Sequence, residues 1–134
     1  MDLFQTGKFT SHAGLQLNWK IECDAISDDE WNCFASMIME YEKRPFSKVV
    51  GIPRGGKKLE DALTPYATGG NHPILIVDDV WTTGTSFKEF TSIQLIEDDI
   101  KNYTWFGWCI FARTPINFHN VSALFNMPGN QNEA

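Results

Sequence analysis

Two adjacent carboxylates, Asp78 and Asp79, stand between an apolar run and a hydroxyl-rich turn in the stretch ILIVDDVWTTGTS, Ile74 to Ser86. Thr82, Thr83, Gly84, Thr85 and Ser86 follow, and a helical pattern begins there. A helix N-terminus offers free N–H groups and the positive end of the helix dipole, so this turn reads as an anion cradle. A second cluster lies upstream in VVGIPRGG, Val49 to Gly56, followed by Lys57 and Lys58. Arg54 can grip phosphate oxygens bidentately, and Gly55 and Gly56 let backbone approach a ligand closely. Taken alone, this second cluster reads equally well as an ordinary loop with solvated cations.

These groups need elements to position them. The run before Asp78 predicts a buried strand that delivers the acid pair to its carboxyl end, where ligands sit in open α/β sheets. Lys48 to Ile52 predicts a short strand ending at the glycine pair. Ser27 and Glu30 form a capping-box pattern, and Trp31, Phe34, Ala35, Ile38 and Met39 recur at helical spacing. That helix is expected to run to about Arg44, because Pro45 disfavours helix in the residue before it. A short helix is expected over 57–65 and a loop over 68–73. Phe87, Phe90, Ile93, Ile96 and Ile100 mark one apolar side of a further helix. Thr104 to Phe111 predicts a strand buried on both faces, and Val121 to Phe125 a short last strand. Near the N-terminus, Leu15, Leu17, Trp19 and Ile21 alternate at period two, with a turn at Ala13-Gly14, which predicts a small antiparallel hairpin. Alternating strands and helices after residue 27 predict an α/β fold: a mostly parallel sheet flanked by helices, with right-handed crossovers.

The 134 residues suit one domain with a single substantial core. Hydrophobic content of 43% and aromatic content of 13% predict a folded globule. A formal charge of -6 with no basic face argues against nucleic acid as a partner. Cys23, Cys33 and Cys109 lack CxxC or zinc spacing and are expected as reduced, buried thiols. No apolar run is long enough for a membrane helix, and MDLFQTGKFT lacks the pattern of a signal peptide. A cytoplasmic location, with no membrane partner, is the expectation. His12, His72 and His119 are expected at the surface.

ILIVDDVWTTGTS closely resembles the phosphoribosyl-diphosphate (PRPP) motif of the type I phosphoribosyltransferases, in which four apolar residues precede two acids and a Thr/Gly-rich turn. Trp81 departs from it, at a position usually aliphatic. VVGIPRGG is similar to the family's pyrophosphate loop. GKFTSHAGLQLNW is similar to the opening of orotate phosphoribosyltransferases, and VSALFNM to their last strand. The resemblance implies one domain over 1–134, with residues 1–26 forming a hood over the base and 127–134 a polar, frayed tail. It implies that Asp78 and Asp79 bind the ribose 2′- and 3′-hydroxyls. It implies that Thr82, Thr83, Gly84, Thr85 and Ser86 hold the 5′-phosphate, and that Arg54, Gly55, Gly56 and Lys57 face pyrophosphate. His12 aligns near a base-site lysine. Mg²⁺ is expected as the PRPP complex, without a dedicated protein site. The implied activity is transfer of a phosphoribosyl group to a nitrogenous base that the sequence does not name. The family often dimerises, so a homodimer is the suggested assembly, with five Trp and ten Phe offering interface surface.

Two departures bear on that activity. Only seventeen residues separate Gly56 from Ile74, where the family places another strand and a long mobile loop carrying cations over the pyrophosphate. That catalytic loop is expected to be missing, which leaves a non-catalytic PRPP- or nucleotide-binding module as the alternative reading. Lys20 and Ile21 also replace an aromatic pair of the orotate enzymes.

Overall fold

The computed structural model describes residues 1–10, 16–97 and 104–127. The antiparallel hairpin is present: β1 (Phe4–Thr10) pairs with β2 (Gln16–Ile21), and the register shifts between Thr6 and Phe9. The expected turn at Ala13-Gly14, His12, Ile100 and the tail over 128–134 fall outside the described residues.

The rest is a four-stranded, all-parallel sheet in the order β3 (Val49–Gly51), β4 (Ile74–Trp81), β5 (Trp105–Ala112), β6 (Val121–Asn126). Helix α1 (Asp28–Tyr41) precedes it, α2 (Lys57–Leu63) joins β3 to β4, and α3 (Thr85–Glu97) joins β4 to β5. Successive side chains of a strand leave on opposite faces, so β4 and β5 each feed two core layers. Leu75 and Val77 of β4 pack with Phe106, Trp108 and Ile110 of β5 against Trp31, Ala35 and Ile38 of α1 and Leu59 and Leu63 of α2. Ile74 and Ile76 pack on the other face with Cys109, Val121 and Phe87 of α3. The strand over residues 105–112 is buried on both faces, as its continuous apolar run predicts.

The two crossovers depart from expectation. Both step one strand in the same direction across a parallel sheet, yet α2 and α3 cover opposite faces. They therefore have opposite hands, and the uniformly right-handed pattern does not hold. The chain goes directly from α2 to β4, with no further strand between, so α2 stays on the α1 side. This also leaves β3 at an edge. There the Glu60 carboxylate accepts from the Gly51 N–H at 2.7 Å, and Thr68 and Gly69 N–H groups donate to the Phe46 and Ser47 carbonyls. These contacts blunt an edge that would otherwise invite pairing.

Helix α1 starts at the expected capping box, with Ser27 Oγ accepting from the Glu30 N–H and Glu30 Oε1 from the Ser27 N–H. It ends at Tyr41 instead of about Arg44. Glu42 takes an extended conformation and turns inward, where its carboxylate accepts from Trp108 Nε1 at 3.0 Å and from Arg44 Nε and Nη2 at 2.9 and 2.8 Å. Three further expectations change. Ile93 is 56% exposed, because the buried side of α3 runs through Phe87 and Thr91, one turn apart. The Thr91 hydroxyl is satisfied inside by donating to the Phe87 carbonyl at 2.7 Å. Cys33 is exposed, whereas Cys23 and Cys109 are buried, and all three are free thiols. The aromatics mostly fill the core: no Trp is exposed, and of the Phe residues only Phe4 and Phe125 are.

Burial pushes the Glu42 carboxyl up, but hydrogen bonds from Arg44 and Trp108 overrule it and hold the group at about 2. A carboxyl depressed in the folded state adds stability above its unfolded pKa, and that stability is lost as pH falls through the folded value. Glu42→Gln is expected to cost about 2 kcal/mol at neutral pH. Denaturant midpoints of the two proteins, compared from about pH 6 down to about pH 2, are expected to converge below about pH 4.5.

Candidate phosphoribosyl site

The carboxyl ends of β3, β4 and β5 open into one cleft of about 820 Å³. Its lining includes Asp78, Asp79, all five residues from Thr82 to Ser86, and Arg54 and Gly55. Two clusters that lie more than twenty residues apart in sequence therefore meet, because β3 and β4 are adjacent parallel strands and the end of β3, Gly51, pairs with Val77, just before the acids. The hairpin closes the opposite wall with Phe9, Thr10, Lys20 and Ile21.

Being consecutive in a strand, the two acids diverge across the sheet. Asp78 is 7% exposed and shares the α3 side with Cys109, its partner in the β4–β5 register. Asp79 is half-buried on the α1–α2 side, near Cys23. The Asp79 N–H donates to Asp78 Oδ1 at 2.9 Å, and the Val80 N–H to Asp79 Oδ1 at 2.8 Å. Burial, then the neighbouring Asp79 charge, pushes the Asp78 carboxyl well above the usual carboxylate range. Burial likewise pushes both thiols up, reinforced by the Asp79 charge for Cys23 and the Asp78 charge for Cys109. Neither thiol supplies a thiolate nucleophile near neutral pH.

Strand β4 runs on through Val80 and Trp81 before the turn. Gly84 has φ +84°, and a Cβ there would lie 2.5 Å from Trp81 Cζ2. The turn is folded against the indole, so the residue that departs from the family pattern is its floor. Trp81 is held in turn by Phe87 and Phe118, at ring separations of 5.5 and 5.4 Å. The Thr83 and Thr85 hydroxyls are 2.8 Å apart, and the Thr85 N–H points to Thr83 Oγ1 at 3.4 Å. Thr114 Oγ1 donates to the Thr82 carbonyl, tying the turn to the end of β5. The first-turn N–H groups of α3 thus open on the cleft without intrahelical acceptors.

On the other side, the peptide bond between Pro53 and Arg54 is cis. Gly55 lies so close to Asp79 that a Cβ would fall 2.4 Å from its Oδ2. Gly56 and Lys57 do not line the cleft. The Gly56 N–H donates to the Ile52 carbonyl at 2.8 Å, and Lys57 Nζ lies 3.2 Å from Glu60 Oε1. His72 and His119 are likewise away from it.

Three charged lining residues escaped the sequence reading as site residues. Glu89 comes from the second turn of α3, and Lys20, whose ammonium lies 5.0 Å from the Phe9 ring centroid, from β2. Arg113, 3% exposed, follows β5; its guanidinium stacks 3.7 Å above the Trp19 ring, and Nη2 donates to the Trp19 carbonyl. Its Nε is buried without a partner, and burial pulls its pKa down. A cation directly after a fully apolar strand was the available signal. Among the described residues no cluster of three or more metal-ligating side chains occurs. An acid pair beside an anion turn still suits a divalent cation that arrives on a diphosphate and keeps its waters.

Comparison with solved structures gives extensive overlap. Orotate phosphoribosyltransferase from Aeropyrum pernix superposes with a TM-score of 0.69 at 18% identity, covering 93% of this chain and 88% of that one. The Mycobacterium tuberculosis H37Rv orotate enzyme gives 0.65 at 13% identity, covering 92% and 89%. The fold is that of the type I phosphoribosyltransferases. Xanthine-guanine-hypoxanthine phosphoribosyltransferase from Helicobacter pylori matches less fully, with a TM-score of 0.53 at 16% identity over 74% of this chain and 81% of its own. No family model and no curated protein sequence matches the chain. The phosphoribosyltransferase fold is therefore shared at identities where the fold alone is established. No helix among the described residues is long and apolar enough to cross a membrane.

A carboxyl raised in the folded state destabilises the protein above its unfolded pKa, so the buried Asp78 lowers stability as pH rises from about 4. Asp78→Asn keeps the shape and removes the charge. It is expected to raise the thermal midpoint, by a margin that grows with pH and vanishes below about pH 4, as thermal scans across that range would show.

Proposed function

We propose that this protein binds PRPP or a nucleoside 5′-monophosphate and transfers the 5-phosphoribosyl group to a nitrogenous base, releasing pyrophosphate. The observation that carries the reading is the convergence, in one cleft, of the acid pair, the threonine turn and the Arg54-Gly55 loop. In this reading the turn holds the 5′-phosphate through the first N–H groups of α3 and the Thr83, Thr85 and Ser86 hydroxyls. Asp79 and Asp78 accept from the ribose hydroxyls, and negative charge beside the ring favours the oxocarbenium-like state as the leaving bond stretches. Arg54 and the Gly55 backbone face the diphosphate. Lys57 contributes there by leaving Glu60, and Gly56 contributes by shaping the loop. Mg²⁺, when bound with PRPP, neutralises diphosphate charge and makes it a better leaving group. His12 remains part of the base-site proposal.

The base end is defined by the hairpin and Arg113. Lys20 and Arg113 line the same cleft as Phe9, Ile21 and Ile52. Two cations beside apolar side chains suit a ring with carbonyl or anionic oxygens on one edge. Cytoplasmic location and a homodimer are part of the same proposal.

The non-catalytic alternative has one observation in its favour. None of residues 57–73 lines the cleft, so no cation from that interval stands over the diphosphate. Calorimetric titration with Mg²⁺–PRPP, followed by a pyrophosphate-release assay with a panel of bases, separates the two. Binding with release that an accepting base increases is the expected outcome; binding without release under any condition selects the binding module. Asp78→Asn combined with Asp79→Asn is expected to weaken PRPP binding at least about tenfold, and unchanged affinity would remove the acids from the site. Arg113→Gln is expected to raise KM for the base about tenfold while changing kcat less. An equal loss in both parameters would mean that Arg113 acts on the transferring carbon instead.

A further inference from the structure

Transferases that pass through a strongly electrophilic carbon cover it during turnover, because water in the site competes with the intended acceptor. Here most of the interval between the two phosphate-facing clusters is tied down. Residues 57–63 form α2, whose Leu59 and Leu63 are buried against α1. Residues 64–66 form one tight turn. Thr68 and Gly69 then donate to the carbonyls of Phe46 and Ser47, ahead of β3. That is the amino end of the sheet, and the acids stand at the carboxyl end. The interval is therefore anchored away from the reacting carbon by its own hydrogen bonds. Among the described residues, cover on the hood side comes from Phe9, Thr10, Lys20 and Ile21.

Resting on the phosphoribosyl reading above, we propose that this cleft also uses water as the acceptor, hydrolysing PRPP to ribose 5-phosphate and pyrophosphate. The C1–O bond to the diphosphate breaks, and its electron pair leaves with pyrophosphate. A water oxygen bonds to C1. Its proton is lost to solvent, and the Asp79 carboxylate, at the ribose hydroxyls, acts by its charge on the positive character developing at C1. Asp78, buried beside it, accepts from the Asp79 N–H and holds that carboxylate in register. The diphosphate carries its own divalent cation, and no other co-reactant is needed.

The test incubates the protein with Mg²⁺–PRPP in ¹⁸O-water, without any base, and follows the products by ³¹P NMR against a protein-free blank. Calorimetry with ribose 5-phosphate and with Mg²⁺–PRPP runs on the same sample. The expected result is protein-dependent release of equal amounts of ribose 5-phosphate and ¹⁸O-free pyrophosphate. Saturating bases from a panel should stimulate total pyrophosphate release less than about threefold, and Asp79→Asn, still binding ribose 5-phosphate through the turn, should lose at least about tenfold in rate. Three outcomes overturn the proposal while leaving the binding site standing: PRPP binding with no release, release that depends on an added base, or ¹⁸O in the pyrophosphate, which means cleavage at phosphorus. If neither phosphate ligand binds, the phosphoribosyl reading itself is wrong and the hydrolysis falls with it.

Discussion

Asp78 and Asp79 are neighbours in a strand, so the pleat sends their side chains to opposite faces of the sheet. Much of the molecule follows from accommodating that divergence at one strand end. On one face the room is made by Gly55, whose missing side chain leaves space for the Asp79 carboxylate. On the other, Asp78 enters the α3 layer beside Cys109. The core layers of the two faces lie on either side of this point. The cleft lies where they part.

Holding a carboxyl there is costly. Desolvation and the second charge both oppose ionisation of Asp78. What offsets that cost is the rest of β4: Ile74 to Val77 are buried on both faces and hydrogen-bonded to β3 and β5. The same rigid strand extends to Trp81, and the indole then supports Gly84 and the start of α3. Acid pair and anion turn are thus set by one continuous backbone segment, which fixes their separation without loop flexibility. Glu42 is a contrast within the same molecule. It too is a buried carboxylate, but Arg44 and Trp108 satisfy it, and it binds the end of α1 to the sheet instead of serving a ligand.

The short link between α2 and β4 has two consequences. It forces the two crossovers to opposite hands, a rare arrangement that α2 tolerates because α1 packs alongside it and completes the layer. It also keeps residues 57–73 from reaching over the cleft. The polar ends of β3, stabilised by Glu60 and by the Thr68–Gly69 backbone, show that this stretch serves the sheet edge.

The sequence by itself determined what depends on neighbours along the chain. The strand from Ile74, the acids at its end, the turn into α3, the capping box at Ser27 and the doubly buried β5 are all encoded in contiguous patterns of polarity, period and capping chemistry. The spacing from Gly56 to Ile74 likewise showed that a long loop could not fit. Tertiary structure decided what depends on register between distant strands. Arg113 reaches the cleft because β5 lies beside β4; its place after an apolar strand marked it, but only that adjacency brings it to the acids. Lys20 joins through the hairpin docking, and Lys57, next in sequence to the glycines, turns to Glu60. Ile93 is exposed and Thr91 buried because the face of α3 is chosen by Phe87 packing over Gly107, not by hydrophobicity alone. Local pattern fixes an element and its chemistry; which groups finally meet is set by how elements pack, and a packing contact between residues far apart in sequence leaves no periodic trace in either segment.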